Sequence, residues 1–135
     1  DIAIIGYGTA GQALALLLSR DGQRVQVFER AAQPGPVGAG FLLQPTGLKE
    51  LWQMGLLPAA LAHGAPVTRL YGETPCGCGV MDMRYEGLGS GLFGLGLQRG
   101  ALFTLLDQAI GSGVQLHRGT RVVEVDHDSG VLQDG

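Results

Sequence analysis

The first twenty-nine residues restrict the fold more than any other part of the chain. Ile2, Ala3, Ile4 and Ile5 form a short apolar run ending at Gly6, the pattern of a parallel strand covered on both faces. Gly6, Gly8 and Gly11 follow. Ala13, Leu14, Leu17 and Leu18 then read as the core side of a helix that Gly22 stops in the left-handed conformation. Val25 to Phe28 reads as a second strand, and Glu29 stands at its end, eighteen residues after Gly11.

Strand, glycine loop, helix, strand and terminal acid specify a βαβ unit that grips an adenine dinucleotide. Gly6 supplies the tight turn, Gly8 the close approach of backbone to a pyrophosphate, and Gly11 the close packing of helix on strand. Thr9 and Ala10 lie at the helix N-terminus, where free N–H groups and the positive end of the dipole suit a diphosphate. Glu29 is spaced to accept from both hydroxyls of the adenosine ribose, each such bond contributing about 1.5–3 kcal/mol. The 2′-phosphate of NADP would meet a like charge there, so the site favours FAD or NAD. Because 24 of the 135 residues are glycine, the triplet alone is weak support; the agreement of its flanking elements gives it weight.

With 45% hydrophobic residues, the chain is expected to be a soluble globular unit of about one domain, long enough to bury a core. A net charge of -3 offers no basic stripe for nucleic acid or an anionic membrane, and neither partner is expected. No apolar run reaches membrane-spanning length and no leader is visible, so a cytoplasmic location is expected. Cys76 and Cys78, the only cysteines, would need His63, His117 or His127 to complete a zinc site, and no metal is expected. Side chains two apart on an extended strand rarely reach disulfide geometry, so the pair is read as free thiols in a loop or at a strand end.

Further along, Ala31 to Gly40 is a proline- and glycine-rich loop in which Gly38, Ala39 and Gly40 would let backbone lie against a flat ligand. Pro45 to Met54 reads as a helix stopped by Gly55, with Leu48, Leu51 and Trp52 in the core, and Leu57 to His63 as a shorter helix with His63 at its end. Val67–Gly72 and Gly79–Tyr85 are expected to be antiparallel strands joined through the cysteine turn, and Gly87 to Gly96 a loop leading into a strand at Leu95–Gln98. From Gly100, residues Leu102, Leu105, Leu106, Ala109 and Ile110 follow helical spacing up to Gly111, which places Arg99 where strand hands over to helix. Val114–His117 and Thr120–Asp126 read as strands, the second with Val123 and Val125 on one face, and His127–Gly130 as a hairpin turn before Val131 and Leu132. The stop at Gly135 is expected to mark a fragment.

Four segments, IAIIGYGTAGQALALLL with VQVFER, GAGFLLQPTGLKELWQMGL, LQRGALFTLL and GTRVVEV, resemble the N-terminal part of the FAD-dependent aromatic hydroxylases, the group A flavoprotein monooxygenases. The resemblance implies an α/β fold, a Rossmann-like βαβ domain of the glutathione reductase type incomplete at its C-terminus, with part of residues 67–98 a β excursion at the start of the substrate-domain side. It implies that Gly6, Gly8, Thr9, Ala10 and Gly11 hold the pyrophosphate, Glu29 the ribose and Arg30 the adenosine side, with the Val122 backbone at the adenine edge. By the same resemblance Arg99 contacts the diphosphate and ribityl region, Gly38, Ala39 and Gly40 lie near the flavin, and Gln44 is a further cofactor contact. The implied chemistry is reduction of tightly bound FAD by NAD(P)H and delivery of oxygen from O2 to a small aromatic substrate, with a halogenase, a reductase or a non-catalytic dinucleotide-binding module as alternatives. Catalytic residues are expected beyond Gly135 and the 135 residues alone are expected to be inactive; the CGC triplet is no part of the resemblance, and nothing in the sequence sets an oligomeric state.

Overall fold

The computed structural model describes residues 1–35 and 38–125, and residues 132–134 through their backbone. The chain forms two compact units, residues 1–37 with 102–135 and residues 38–101. Among the described residues no helix is long and apolar enough to cross a membrane.

In the first unit, β1 (Ile2–Ile5), α1 (Thr9–Arg20) and β2 (Val25–Glu29) appear where the hydrophobic pattern puts them. β1 and β2 run parallel with Ile2 opposite Val25 and Ile5 opposite Phe28. The core gathers Ile4, Tyr7, Ala15, Val25 and Val27, with Leu18, Phe103, Ile110 and Leu116 packed against it. Two expectations fail at this level. Ile5 is 57% exposed, so β1 buries one face and not two. Leu14 and Leu17 are exposed as well, and the buried face of α1 is Gln12, Ala15 and Leu16. Those three share the spacing i, i+3, i+4, but the polar Gln12 conceals it, and the leucine-rich register one residue away looks more apolar.

In the second unit, β3 (Gly40–Leu43), α2 (Pro45–Gln53), α3 (Leu57–His63) and β4 (Gly64–Val67) precede a two-stranded hairpin, β5 (Arg69–Glu73) and β6 (Gly79–Arg84). His63 ends α3 as expected. A short 3-10 turn, Tyr85–Leu88, leads to β7 (Gly94–Gln98), which lies between β3 and β4 in an antiparallel sheet. Neither β3 nor β4 was expected from sequence. Pro66 makes β4 read as loop, yet β4 is an edge strand, where a residue without an N–H is tolerated. Leu48, Leu51, Met54, Ala60, Tyr85, Leu95 and Leu97 are buried.

Trp52 was expected in the core, but it is 67% exposed. It lies one residue, about 100° of helical arc, beyond the buried Leu51, on the side away from Met54. Replacing it with serine is therefore expected to change the unfolding free energy by no more than about 0.5 kcal/mol in urea titration; a loss of several kcal/mol would return Trp52 to the core.

The boundary between units falls within α4 (Arg99–Ala109), after which β8 (Val114–Arg118) joins β2 in parallel and β9 (Val122–Val125) pairs antiparallel with β10 (Leu132–Asp134). Gly111 follows α4 without a left-handed φ. Val123, which alternation places on one face with Val125, is 59% exposed. Asp126, the expected turn His127–Gly130 and Val131 lie outside the described residues.

Candidate functional site

The glycine loop leaves β1 at Gly6, whose φ of 100° is available to glycine at little cost. Its N–H donates to the Phe28 carbonyl at 2.8 Å, tying the turn to β2. Gly11 has no room at all for a side chain, since a Cβ there would stand 2.0 Å from the Gly6 carbonyl oxygen and 3.6 Å from Ile4 Cγ2. The close approach expected of this residue is thus first to the loop itself, and the strand comes second. Gly8, the N-cap of α1, has open space around its would-be Cβ. Helical bonding begins with Gln12 N–H donating to Gly8 O, so the N–H groups of Thr9, Ala10 and Gly11 precede it, and no acid stands in the first turn to compete for them. An anion brought to this end meets three donors and the positive end of the dipole.

Glu29, at the end of β2, is held by the backbone on both sides. Ala31 N–H donates to Oε1 at 2.8 Å and Tyr7 N–H donates to Oε2 at 2.7 Å. These two bonds, that from Ala31 first, hold its carboxyl below the usual carboxylate range. The carboxylate is therefore ionised and oriented before any ligand arrives, and each oxygen keeps lone-pair capacity for a hydroxyl donor. It borders a cleft of about 280 Å³ that also meets Gly6, Arg30, Thr120, Arg121 and Val122. Gly6, Glu29, Arg30 and Val122 were picked from sequence, and the first unit brings all four to one place. An open cleft beside a fixed anionic acceptor, next to a helix N-terminus without acids, fits the adenosine diphosphate part of FAD.

Sequence reasoning missed Tyr7, Gln12 and Asp107. Tyr7 is 4% exposed, and its hydroxyl donates to Asp107 Oδ1 at 2.6 Å while its ring meets Phe103 edge-on at 5.9 Å. Burial, and then the Asp107 carboxylate, push the phenol up to about 12, so it stays a donor. Gln12, wholly buried, donates from Nε2 to the Phe103 carbonyl at 3.3 Å. The residue whose N–H orients Glu29 is thus anchored to α4 by its own side chain. Tyr7→Phe is expected to lower the unfolding free energy by about 1–2 kcal/mol in urea. The raised phenol also contributes stability that is full below about pH 10 and lost as pH rises towards about 12, and that alkaline decline should be absent in Tyr7→Phe.

In the second unit, Arg99 begins α4 directly after β7, as its position between strand and helix suggested. Its N–H donates to the Ala39 carbonyl at 3.1 Å, its guanidinium lies 6.0 Å from the Phe41 ring centre, and the side-chain position at Gly38 falls 3.7 Å from the guanidinium carbon. Gly38 has a φ of 96°. Two sequence segments about sixty residues apart, Gly38–Gly40 and Arg99, are therefore one local structure. Gln44 is the N-cap of α2, and its Oε1 accepts from the buried Tyr85 hydroxyl at 2.9 Å, which leaves its amide NH2 as a donor. Among the described residues no three of His, Cys, Asp or Glu are grouped to hold a metal ion. His117 stacks on Phe28 at 4.6 Å, and His127 lies outside the described residues.

Along 98% of its length the chain is 29% identical to the kynurenine 3-monooxygenase of Salinispora arenicola, covering 31% of that protein. It is 46% identical over 56 residues, 42% of the chain, to squalene monooxygenase SE2 of Panax ginseng, of which the match covers 10%. The crystal structure of P. aeruginosa PqsL in complex with 2-aminobenzoylacetate superimposes with a TM-score of 0.81 at 28% identity, over 98% of the chain and 37% of that protein. The chain thus spans between a tenth and little more than a third of the proteins it matches. The FAD binding domain family model matches residues 1–133, and with the glycine loop, the ionised Glu29 and the adjoining cleft in place, the chain belongs to that family.

Proposed function

We propose that the chain is the FAD-binding part of a cytoplasmic monooxygenase that uses NADH or NADPH and O2 to hydroxylate a small aromatic compound. The observation carrying this reading is that a site fitted to the adenosine diphosphate of FAD occurs in a chain whose likeness to a kynurenine 3-monooxygenase runs along 98% of its length. Bound FAD supplies the electron transfer and the oxygen activation. The protein's part is to bind and orient. Gly6 and Gly8 shape the turn against which the pyrophosphate lies, Thr9, Ala10 and Gly11 offer it their backbone N–H groups, Glu29 accepts from the ribose, and Arg30 and Val122 flank the adenine side. In the second unit, Arg99 with Gly38, Ala39, Gly40 and the Gln44 amide is assigned to the ribityl and flavin half. Residues 1–135 are read as one FAD-binding domain, with part of residues 67–98 directed to the substrate-domain side.

The 46% identity to a squalene monooxygenase supports a second reading, in which the same cofactor part serves oxygenation of a non-aromatic substrate. Expression of the complete gene product separates these possibilities. A yellow protein is expected whose NAD(P)H oxidation accelerates with a suitable phenol or aromatic amine and yields the oxygenated product. A colourless protein that FAD does not reconstitute overturns the reading, and oxygenation confined to isoprenoids would select the second.

A further inference from the structure

We propose that Cys76 and Cys78, at the tip of the β5–β6 hairpin, form a reversible dithiol–disulfide couple in which Cys76 is attacked by hydroperoxides and Cys78 resolves the product. The hairpin is paired up to this tip, with a register shift between Gly72 and Glu73. Arg69 and Asp82 pair across it with Nη2 to Oδ2 at 2.8 Å, and the last paired residues are Glu73 and Gly79. The five residues between them close on themselves, with Thr74 N–H donating to Cys78 O at 2.8 Å and Gly77 N–H donating to Thr74 O at 2.9 Å. Gly77, with a φ of 81°, reverses the chain between the two cysteines. They therefore lie in a turn and not along an extended strand, and the geometric objection to a bond between residues two apart on a strand does not apply.

Both cysteines converge on one hydroxyl. Thr74 Oγ1 is 3.1 Å from Cys76 Sγ, and Cys78 N–H donates to the same oxygen at 3.1 Å. Both thiols are free and exposed. Hydrogen bonding with the Thr74 hydroxyl and then with the Cys78 side chain holds the Cys76 thiol below its ordinary range, which raises its thiolate fraction at neutral pH. An exposed thiolate beside a second cysteine is the arrangement that oxidation singles out. The Cys76 thiolate attacks one oxygen of hydrogen peroxide, the O–O bond breaks, and hydroxide leaves and takes up a proton to become water. Cys76 is left as the sulfenic acid. The Cys78 sulfur then attacks Cys76 Sγ, the S–O bond breaks, and a second water leaves with the Cys78 proton. Two thiols have lost two electrons and two protons, and the peroxide has been reduced to two waters.

The test is intact-mass spectrometry of the reduced protein after brief exposure to a small excess of hydrogen peroxide and then N-ethylmaleimide. The expected product is lighter by two hydrogen atoms, takes up no maleimide, and regains two reactive thiols with dithiothreitol. Cys78→Ser, which cannot close the ring, is expected instead to carry one added oxygen that dimedone traps at Cys76. Thr74→Val is expected to slow the maleimide reaction of Cys76 severalfold at neutral pH. The proposal is overturned if oxidised wild type still takes up two maleimides, if its disulfide joins two chains, or if Cys76 and Cys78 react at equal rates.

Discussion

Gly11→Ala is expected to destabilise the first unit by about 3 kcal/mol, the upper end of what overpacking normally costs, and to weaken FAD binding at least tenfold. The cause is local. A methyl group at residue 11 would stand 2.0 Å from the Gly6 carbonyl oxygen, and that atom is backbone in a turn already tied to Phe28 at 2.8 Å, so it has no rotamer to escape into. Relief requires the start of α1 to move off the loop, which carries the N–H groups of Thr9 and Ala10 away from the phosphate position. Gly8→Ala is the matching control. Its φ of -76° suits alanine and its side-chain position is empty, so the fold should keep its stability while the added methyl obstructs the pyrophosphate. Urea unfolding and a flavin-fluorescence titration of the two variants measure both quantities. Equal stability of Gly11→Ala and wild type would show that the loop relaxes in a way this geometry does not allow.

How far the sequence reveals the fold depends on whether the signal is local. The run from β1 to β2, the helix after Arg99 and the position of Glu29 are set by periodicity and spacing within about thirty residues, and all are where the pattern puts them. The buried side of α1 was misread because a polar residue, Gln12, occupies it, and Trp52 because a short helix with only three strongly apolar anchors leaves its orientation open by a residue. Strands β3 and β4 depend on pairing with β7, a partner more than fifty residues from β3 and about thirty from β4, and Pro66 masks one of them. Tyr7 is the most instructive omission. Its position between two loop glycines marks it only as the variable residue of the motif, whereas its role rests on a hydroxyl bond to Asp107, one hundred residues later, and on a backbone N–H aimed at Glu29. Nothing in the spacing of either pair announces the contact.

Glu29→Lys is expected to weaken FAD binding by about two orders of magnitude or more. Two bonds from ribose hydroxyls to a carboxylate contribute about 1.5–3 kcal/mol each, and tenfold in affinity corresponds to about 1.4 kcal/mol. The substitution also turns the Tyr7 and Ala31 N–H groups, now 2.7 and 2.8 Å from carboxylate oxygens, towards an ammonium that cannot accept them. Glu29→Gln keeps the shape and one acceptor oxygen, so a loss of about tenfold is expected. Acid provides a second readout. Because the folded-state pKa of Glu29 is lowered, its contribution to stability is fully present above about pH 4.5, the unfolded value, and is lost as pH falls through the lower folded value. Wild type should therefore lose stability across that acid range more steeply than Glu29→Gln, in urea titrations repeated at successive pH values. If the two proteins share one pH profile and one FAD affinity, the carboxylate is not the ribose acceptor, and the cleft bordered by Arg30 and Val122 must hold a different part of the cofactor.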